Sequence, residues 1–248
     1  MCAEMKQAMI FAAGLGTRLK PLTDTMPKAL VRVGGQPLLW HVIQKLKHAE
    51  YERIVVNVHH FAGQIVDYLK ANDNFGLDIR ISDESEMLLE TGGGIKKALP
   101  LFDPTEPILI HNVDILSNLD LTSLPTDAPL LVVSQRQTKR YLLFDDDLRL
   151  QGWTNIETGE LKGPIIGPII HHPSDISHLR KLAFSGIHVM HPSLYPLLED
   201  WPERFPIMDF YLKACGDNLI RGYEAKNLRI LDVGKLDTLD KAEEFISL

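Results

Sequence analysis

The sequence is poor in cysteine, in long apolar runs and in positive charge, and each shortage excludes a class of protein. Two thiols in 248 residues, Cys2 and Cys215, are too few for a disulfide framework and agree with a reducing compartment. The apolar stretch Ala8 to Ala13 is too short for a signal peptide or a membrane span, so a cytoplasmic protein without a membrane partner is expected. Lys and Arg number 26 against 33 Asp and Glu, a net charge of −7, which argues against a nucleic-acid partner because such binding needs a clustered basic face. Any phosphate binding must therefore be local. Trp40, Trp153 and Trp201 are scattered and form no stacking platform, and no internal repeat is present.

What is there suits a large α/β core. Hydrophobic residues make up 45% of the chain with no break in composition, so residues 1–248 are expected to form one domain. Met9 to Ala13, Ile54 to Val58, Leu77 to Ile81 and Pro107 to Asn112 read as short buried strands. Between them, Leu38, Leu39, Val42, Ile43 and Leu46 make one helical stripe, with Pro37 expected at the first helical position, and Ile65, Val66 and Leu69 mark a second helix. This alternation predicts a Rossmann-like α/β fold, a mostly parallel sheet with helices on both faces. The second half is more mixed. Strands are expected at Leu130 to Ser134, Tyr141 to Phe144, Leu148 to Trp153 and Ala183 to Met190, with a turn at Asp145 to Asp147 and short helices near Leu194 to Leu198, Met208 to Ala214 and Leu239 to Phe245.

The segment Ala12-Ala13-Gly14-Leu15-Gly16-Thr17-Arg18-Leu19 follows the first strand, and Pro27-Lys28-Ala29-Leu30 comes soon after. Glycines straight after a strand let backbone N–H groups turn toward an anion. Arg18 offers two parallel hydrogen bonds to phosphate oxygens and Lys28 a compact charge, a combination suited to a nucleoside triphosphate. Two common glycine fingerprints do not fit. Thr17 stands where a dinucleotide loop would have its third glycine, and no lysine and hydroxyl pair follows the last glycine as in a Walker loop.

With Pro21-Leu22-Thr23 added, these segments resemble the start of the sugar-1-phosphate nucleotidyltransferases. Glu90-Thr91-Gly92-Gly93-Gly94, Asn112-Val113-Asp114, Phe184-Ser185-Gly186-Ile187 and Asp232-Val233-Gly234 extend the likeness in the family's order over nearly the whole chain. The E-T-G-G-G segment is most similar to the branch that joins UTP to N-acetylmuramate 1-phosphate. A branch using GTP with mannose or heptose 1-phosphate is the alternative. The hexapeptide pattern of a left-handed β-helix, which some relatives append, is absent from the sequence.

The resemblance implies a magnesium-dependent transfer of a nucleotidyl group from a nucleoside triphosphate to a sugar 1-phosphate, with both as its small-molecule partners. Arg18, Lys28 and Asp114 would be catalytic. Ala13, Gly14, Gly16, Thr17, Arg18, Glu90, Gly92 and Gly93 would border the nucleotide. Asn112, Tyr141, Asn155, Ser185 and Gly186 would border the sugar, and Asp114 and Asp232 would hold Mg²⁺. Three glycines ahead of the helical run Ile95 to Leu99 are expected to leave amides free for a base or sugar. Each residue also has a plainer reading: a strand-end aspartate often caps a turn, and a serine or glycine in a strand is often only packing. The nucleobase and the choice of monomer or homodimer stay open.

One departure falls inside the site. Val113 occupies a position where the family usually has glycine, so either the backbone there is ordinary or the pocket is altered. That substitution keeps a non-catalytic nucleotide-sugar-binding protein in view, and the glycine loop keeps a dinucleotide-dependent dehydrogenase. His59-His60 and His171-His172 lack zinc spacing. His59 and His60 are expected near a pocket mouth, and the family's acid-lysine pair has no clean counterpart around Glu157 and Lys162.

Overall fold

Alternate residues of the first strand face opposite layers, and the whole architecture follows from that alternation. A computed structural model describes residues 5–164 and 176–247. His171 and His172 lie outside the described residues. The strands are β1 (Gln7–Phe11), β2 (Arg32–Val33), β3 (Gln36–Pro37), β4 (Arg53–Val58), β5 (Asp78–Asp83), β6 (Ile108–Asn112), β7 (Ile115–Ser117), β8 (Leu130–Ser134), β9 (Arg140–Phe144), β10 (Leu150–Asn155), β11 (Leu161–Lys162), β12 (Arg180–Met190), β13 (Arg221–Glu224) and β14 (Ile230–Asp232). The helices are α1 (Leu38–His48), α2 (Ala62–Ala71), α3 (Glu90–Ala98), α4 (Ile207–Ala214) and α5 (Leu239–Ile246).

Strands β5, β4, β1 and β6 lie side by side and parallel, and β12 then joins antiparallel to β6. From β12 the sheet continues through antiparallel β9, β10 and β11, while β8 and β13 extend a second path from β12. The fold is thus α/β, with a parallel half and a mixed half. Ala8 and Ile10 pack with Ile54, Val56 and Leu109 beneath the apolar stripes of α1 and α2. Met9, Val55, Ile108 and Ile110 face the other way, onto α3 and α4. Burial on both faces explains why these strands read as continuous apolar runs.

The register brings four strand ends to one edge. Phe11 lies between Asn57 and Asn112, and Asn57 lies beside Ser82. Segments that follow the carboxyl ends of parallel strands meet here, and this is the edge at which such sheets bind ligands. A separate two-stranded ribbon of β7 and β14 sets Asp232 opposite Ile115.

Candidate active site

A cleft of about 250 Å³ opens at that edge. Ala12, Ala13 and Gly14 form one wall, Lys28, Asn112, Val113 and Asp114 another, and Asn57, Glu84, Glu90 and Thr91 a third. Gly14 is exposed, and no atom of the described residues lies within 4 Å of the point where a Cβ would stand, so its backbone is open to a ligand. Gly16 does a different job. Its φ of +63° starts a tight turn, and a Cβ there would press on Thr23 Cγ2 at 2.8 Å and on the Cβ of Lys28 at 3.1 Å. A close, left-handed turn at Gly16 is what seats Lys28 beside the loop.

Lys28 and Asp114 form an ion pair with side chains only 13% and 15% exposed. Asp114 Oδ1 has no hydrogen bond to the protein among the described residues. The backbone of Asp114 accepts from the N–H of Val233 at 2.8 Å, which ties the end of β14 to the cleft. Asp232 Oδ1 and Arg18 Nη2 both approach the α-carbon side of Gly234, at 2.6 and 2.7 Å from an ideal Cβ position. Arg18, Thr17 and Asp232 are exposed and lie outside the walls of the cleft proper. The donor set suits magnesium: hard oxygen ligands, one or two carboxylates, and an open side for phosphate oxygens and water. No group of three His, Cys, Asp or Glu gathers as a metal cluster among the described residues.

Asn57 and Glu84 are the part of the site that sequence reasoning undervalued. Asn57 Oδ1 accepts from the N–H groups of Ala12 at 2.7 Å and Ala13 at 3.3 Å, and its Nδ2 donates to Glu84 Oε1 at 2.8 Å. Glu84 Oε2 accepts from Leu89 N–H at 3.1 Å. Both side chains are buried, so this network fixes the start of the glycine loop against the segment leading to α3. The available signal was an asparagine inside an otherwise apolar strand. His59 Nδ1–H donates to the carbonyl of Glu84 at 2.6 Å, and His59 does not line the cleft.

The glycines of α3 require a correction. The helix starts at Glu90, so Gly92, Gly93 and Gly94 lie inside it. The amides of Gly92 and Gly93 donate to the carbonyl of Phe205 at 2.8 and 3.2 Å. A Cβ at Gly92 would strike the Phe205 ring at 2.2 Å, and one at Gly93 the carbonyl of Glu203 at 2.1 Å. These residues are small because the 203–205 segment lies on them, and their amides are not free for a base. Glu90, with φ +62°, does reach the cleft and pairs with Arg204 at 3.2 Å.

Of the residues expected near the sugar, Asn112 lines the cleft, and Gly186 is buried against it outside the lining, since a Cβ at Gly186 would lie 2.8 Å from Asn112 Nδ2. Ser185 is buried and donates to the carbonyl of Val132 at 2.6 Å, which makes it a packing residue of β12 and corrects its expected exposure to ligand. Tyr141 accepts from Thr138 N–H at 3.1 Å, and Asn155 lines a separate cleft of the antiparallel half. Val113 is buried and takes no positive φ, so its backbone is ordinary.

Comparison with known proteins fits this geometry. Residues 7–129 match the family model described as nucleotidyl transferase. The chain is 32% identical over 225 residues to the N-acetylmuramate alpha-1-phosphate uridylyltransferase of Caulobacter vibrioides, covering 90% of each. It is 45% identical over 118 residues to the enzyme of that name from Neisseria meningitidis, covering 47% of this chain and 50% of the relative. Among solved structures, UDP-glucose pyrophosphorylase with UDP-glucose superposes with a TM-score of 0.76 at 17% identity, over 98% of this chain and 99% of that one. HddC from Yersinia pseudotuberculosis with GMP-PN gives 0.73 at 22% identity, over 98% and 100%. These likenesses establish a shared fold. The chain belongs to the nucleotidyl transferase family. Among the described residues no helix is long and apolar enough to cross a membrane.

Proposed function

We propose that this protein transfers a nucleotidyl group from a nucleoside triphosphate to a sugar 1-phosphate, with UTP and N-acetylmuramate 1-phosphate as the favoured pair. One observation carries the reading: the open backbone at Gly14 faces the Lys28–Asp114 ion pair across a single cleft at the carboxyl edge of the sheet. The pair of substrates is supported by the names of the relatives from Caulobacter vibrioides and Neisseria meningitidis.

An oxygen of the sugar phosphate attacks the α-phosphorus, the bond from that phosphorus to the bridging oxygen breaks, and pyrophosphate leaves with the electron pair. The attacking phosphate is already anionic, so the chain needs no side-chain nucleophile; it must position two anions and neutralise their charge. Gly14 N–H and the Arg18 guanidinium hold the triphosphate. Lys28 moves from Asp114 to the phosphates and lies where donor and acceptor meet. Asp114 and Asp232 would hold magnesium, which when bound offsets the negative charge around the α-phosphate. Asn57 and Glu84 keep the loop in register during the exchange.

A second reading has GTP and mannose 1-phosphate as substrates. It is favoured by a 27% identity over 247 residues to the mannose-1-phosphate guanyltransferase of Aspergillus oryzae. A pyrophosphate-release screen of four triphosphates against hexose, hexosamine and muramic 1-phosphates decides between them. Turnover confined to UTP with the muramic ester supports the first, turnover confined to GTP with mannose 1-phosphate the second, and release with no pair sinks both.

A further inference from the structure

The antiparallel half carries a cleft of about 560 Å³, and strand alternation decides what faces it. Arg140 and Leu142 stand two apart on β9, opposite Asn155 and Trp153 on β10, and Lys162 on β11 stands opposite Trp153. Paired residues and residues two apart share a face of a sheet, so these five side chains form one wall, and all five line the cleft. None of them is acidic, although the chain has a net charge of −7. Asp209 of α4 and Glu160, just before β11, bring carboxylates from elsewhere, and Glu160 already pairs with Lys162 at 3.5 Å. Lys162 Nζ also lies over the Trp153 ring, 5.3 Å from its centroid. Arg136, another lining residue, donates to the carbonyl of Phe184 at 3.0 Å. The Arg140 guanidinium, by contrast, has no hydrogen bond or ion pair among the described residues.

This wall adjoins the first cleft at two points. Thr91, which lines the first cleft, accepts through Oγ1 from the N–H of Ile207 at 2.9 Å, and the residues on either side of Ile207, Pro206 and Met208, line the second. Phe184 lines the second cleft as well, and two residues further along β12 Gly186 lies against Asn112 of the first.

We propose that Arg140 selects the acceptor: the sugar of the 1-phosphate reaches past Thr91 and Phe184 into the second cleft, where Arg140 pairs with a carboxylate borne on the ring. The substrate class is then a sugar 1-phosphate with a second anion, which separates a muramic ester, with its lactyl carboxylate, from neutral hexose esters. This assignment rests on the transfer proposed above for where the phosphate lies. A guanidinium grips both oxygens of a carboxylate through two parallel hydrogen bonds, and no carboxylate of the described residues occupies that of Arg140. Asn155, directly opposite Arg140, offers an amide to the ring's hydroxyl or acetamido groups.

N-acetylmuramate 1-phosphate and N-acetylglucosamine 1-phosphate, which differ by the lactyl arm, are the probes, each titrated calorimetrically into the whole protein. Wild type should bind the acidic ester about tenfold or more tightly, and the lactamide of that ester should bind like the neutral one. Arg140→Gln, a change to an exposed side chain, should bring the two affinities together, and Arg140→Lys should restore part of the difference. Equal affinities in wild type, a preference that survives Arg140→Gln, or saturable binding of neither ester would overturn the assignment. Pyrophosphate release is read separately. A binding preference that depends on Arg140, with no release from any triphosphate, would sink the transfer and keep the selection, whereas release that treats both esters alike would sink the selection and keep the transfer.

Discussion

The ammonium of Lys28 and the carboxylate of Asp114 are paired on one wall of the cleft although 86 residues separate them in the chain. In the free protein each offsets the charge of the other, and in the proposed transfer each would be needed by a different partner. Lys28→Ala and Asp114→Asn are therefore expected to cut turnover by about a hundredfold or more each, because both remove charge aimed at the reacting phosphates. The double variant should lose much less than the product of the two losses. Steady-state pyrophosphate release measures this, and full multiplicative loss would show that the two side chains act independently.

Two glycines separate ligand approach from packing. Gly14→Ala adds a methyl group where nothing lies within 4 Å, so stability should stay within about 0.5 kcal/mol. Turnover at low triphosphate should nonetheless fall by about tenfold, since the methyl occupies the phosphates' approach. Gly93→Ala drives a methyl into the Glu203 carbonyl and should cost about 1–3 kcal/mol in urea unfolding. If Gly14→Ala left the KM for triphosphate unchanged, the loop would not be the phosphate cradle.

The parallel half of the fold was legible in the sequence because its strands are buried on both faces and its helices carry apolar stripes. β8, from Leu130 to Ser134, came out with the same bounds. Short strands such as β7 and β14 were illegible, since three residues are too few to carry a period, and yet their pairing sets Asp232 opposite the residue after Asp114. Pro37 precedes α1 by one residue, because it also pairs in the β2–β3 hairpin. The glycine loop, Lys28 and Asp114 stood out by spacing. The triple glycine misled because a glycine needed for close helix packing looks, in one dimension, like a glycine needed for a ligand.

The buried Asn57 links the loop to Glu84, and its removal takes a partner from each. Asn57→Ala abolishes the acceptor for Ala12 and Ala13 and one of the two donors to a fully buried carboxylate. A loss of about 2–4 kcal/mol of stability is expected, together with a higher KM for triphosphate at similar kcat. Asn57→Asp should be worse, since it sets two carboxylates against each other 2.8 Å apart. Unfolding midpoints equal to wild type would show that the network does not hold the loop.

Acid should weaken the fold through two histidines unrelated to the reaction. His188 is buried between the rings of Phe184 and Tyr211, and both of its nitrogens lack partners among the described residues. Burial pushes it down to about 3, and it pushes His111 down to about 4 against the hydrogen bond to the Asn112 carbonyl. Both folded values lie below the unfolded value of 6.5, so the unfolded chain binds protons that the native state refuses. Their stabilising effect is complete above pH 6.5 and is lost as the pH falls toward those folded values, by about 1.4 kcal/mol per pH unit for each ring. Urea unfolding at successive pH values from neutral to mildly acid should show this slope, and His188→Leu should remove about one proton's share of it. An identical slope in the variant would mean that His188 is protonated in the native state, against its burial among rings with no acceptor among the described residues.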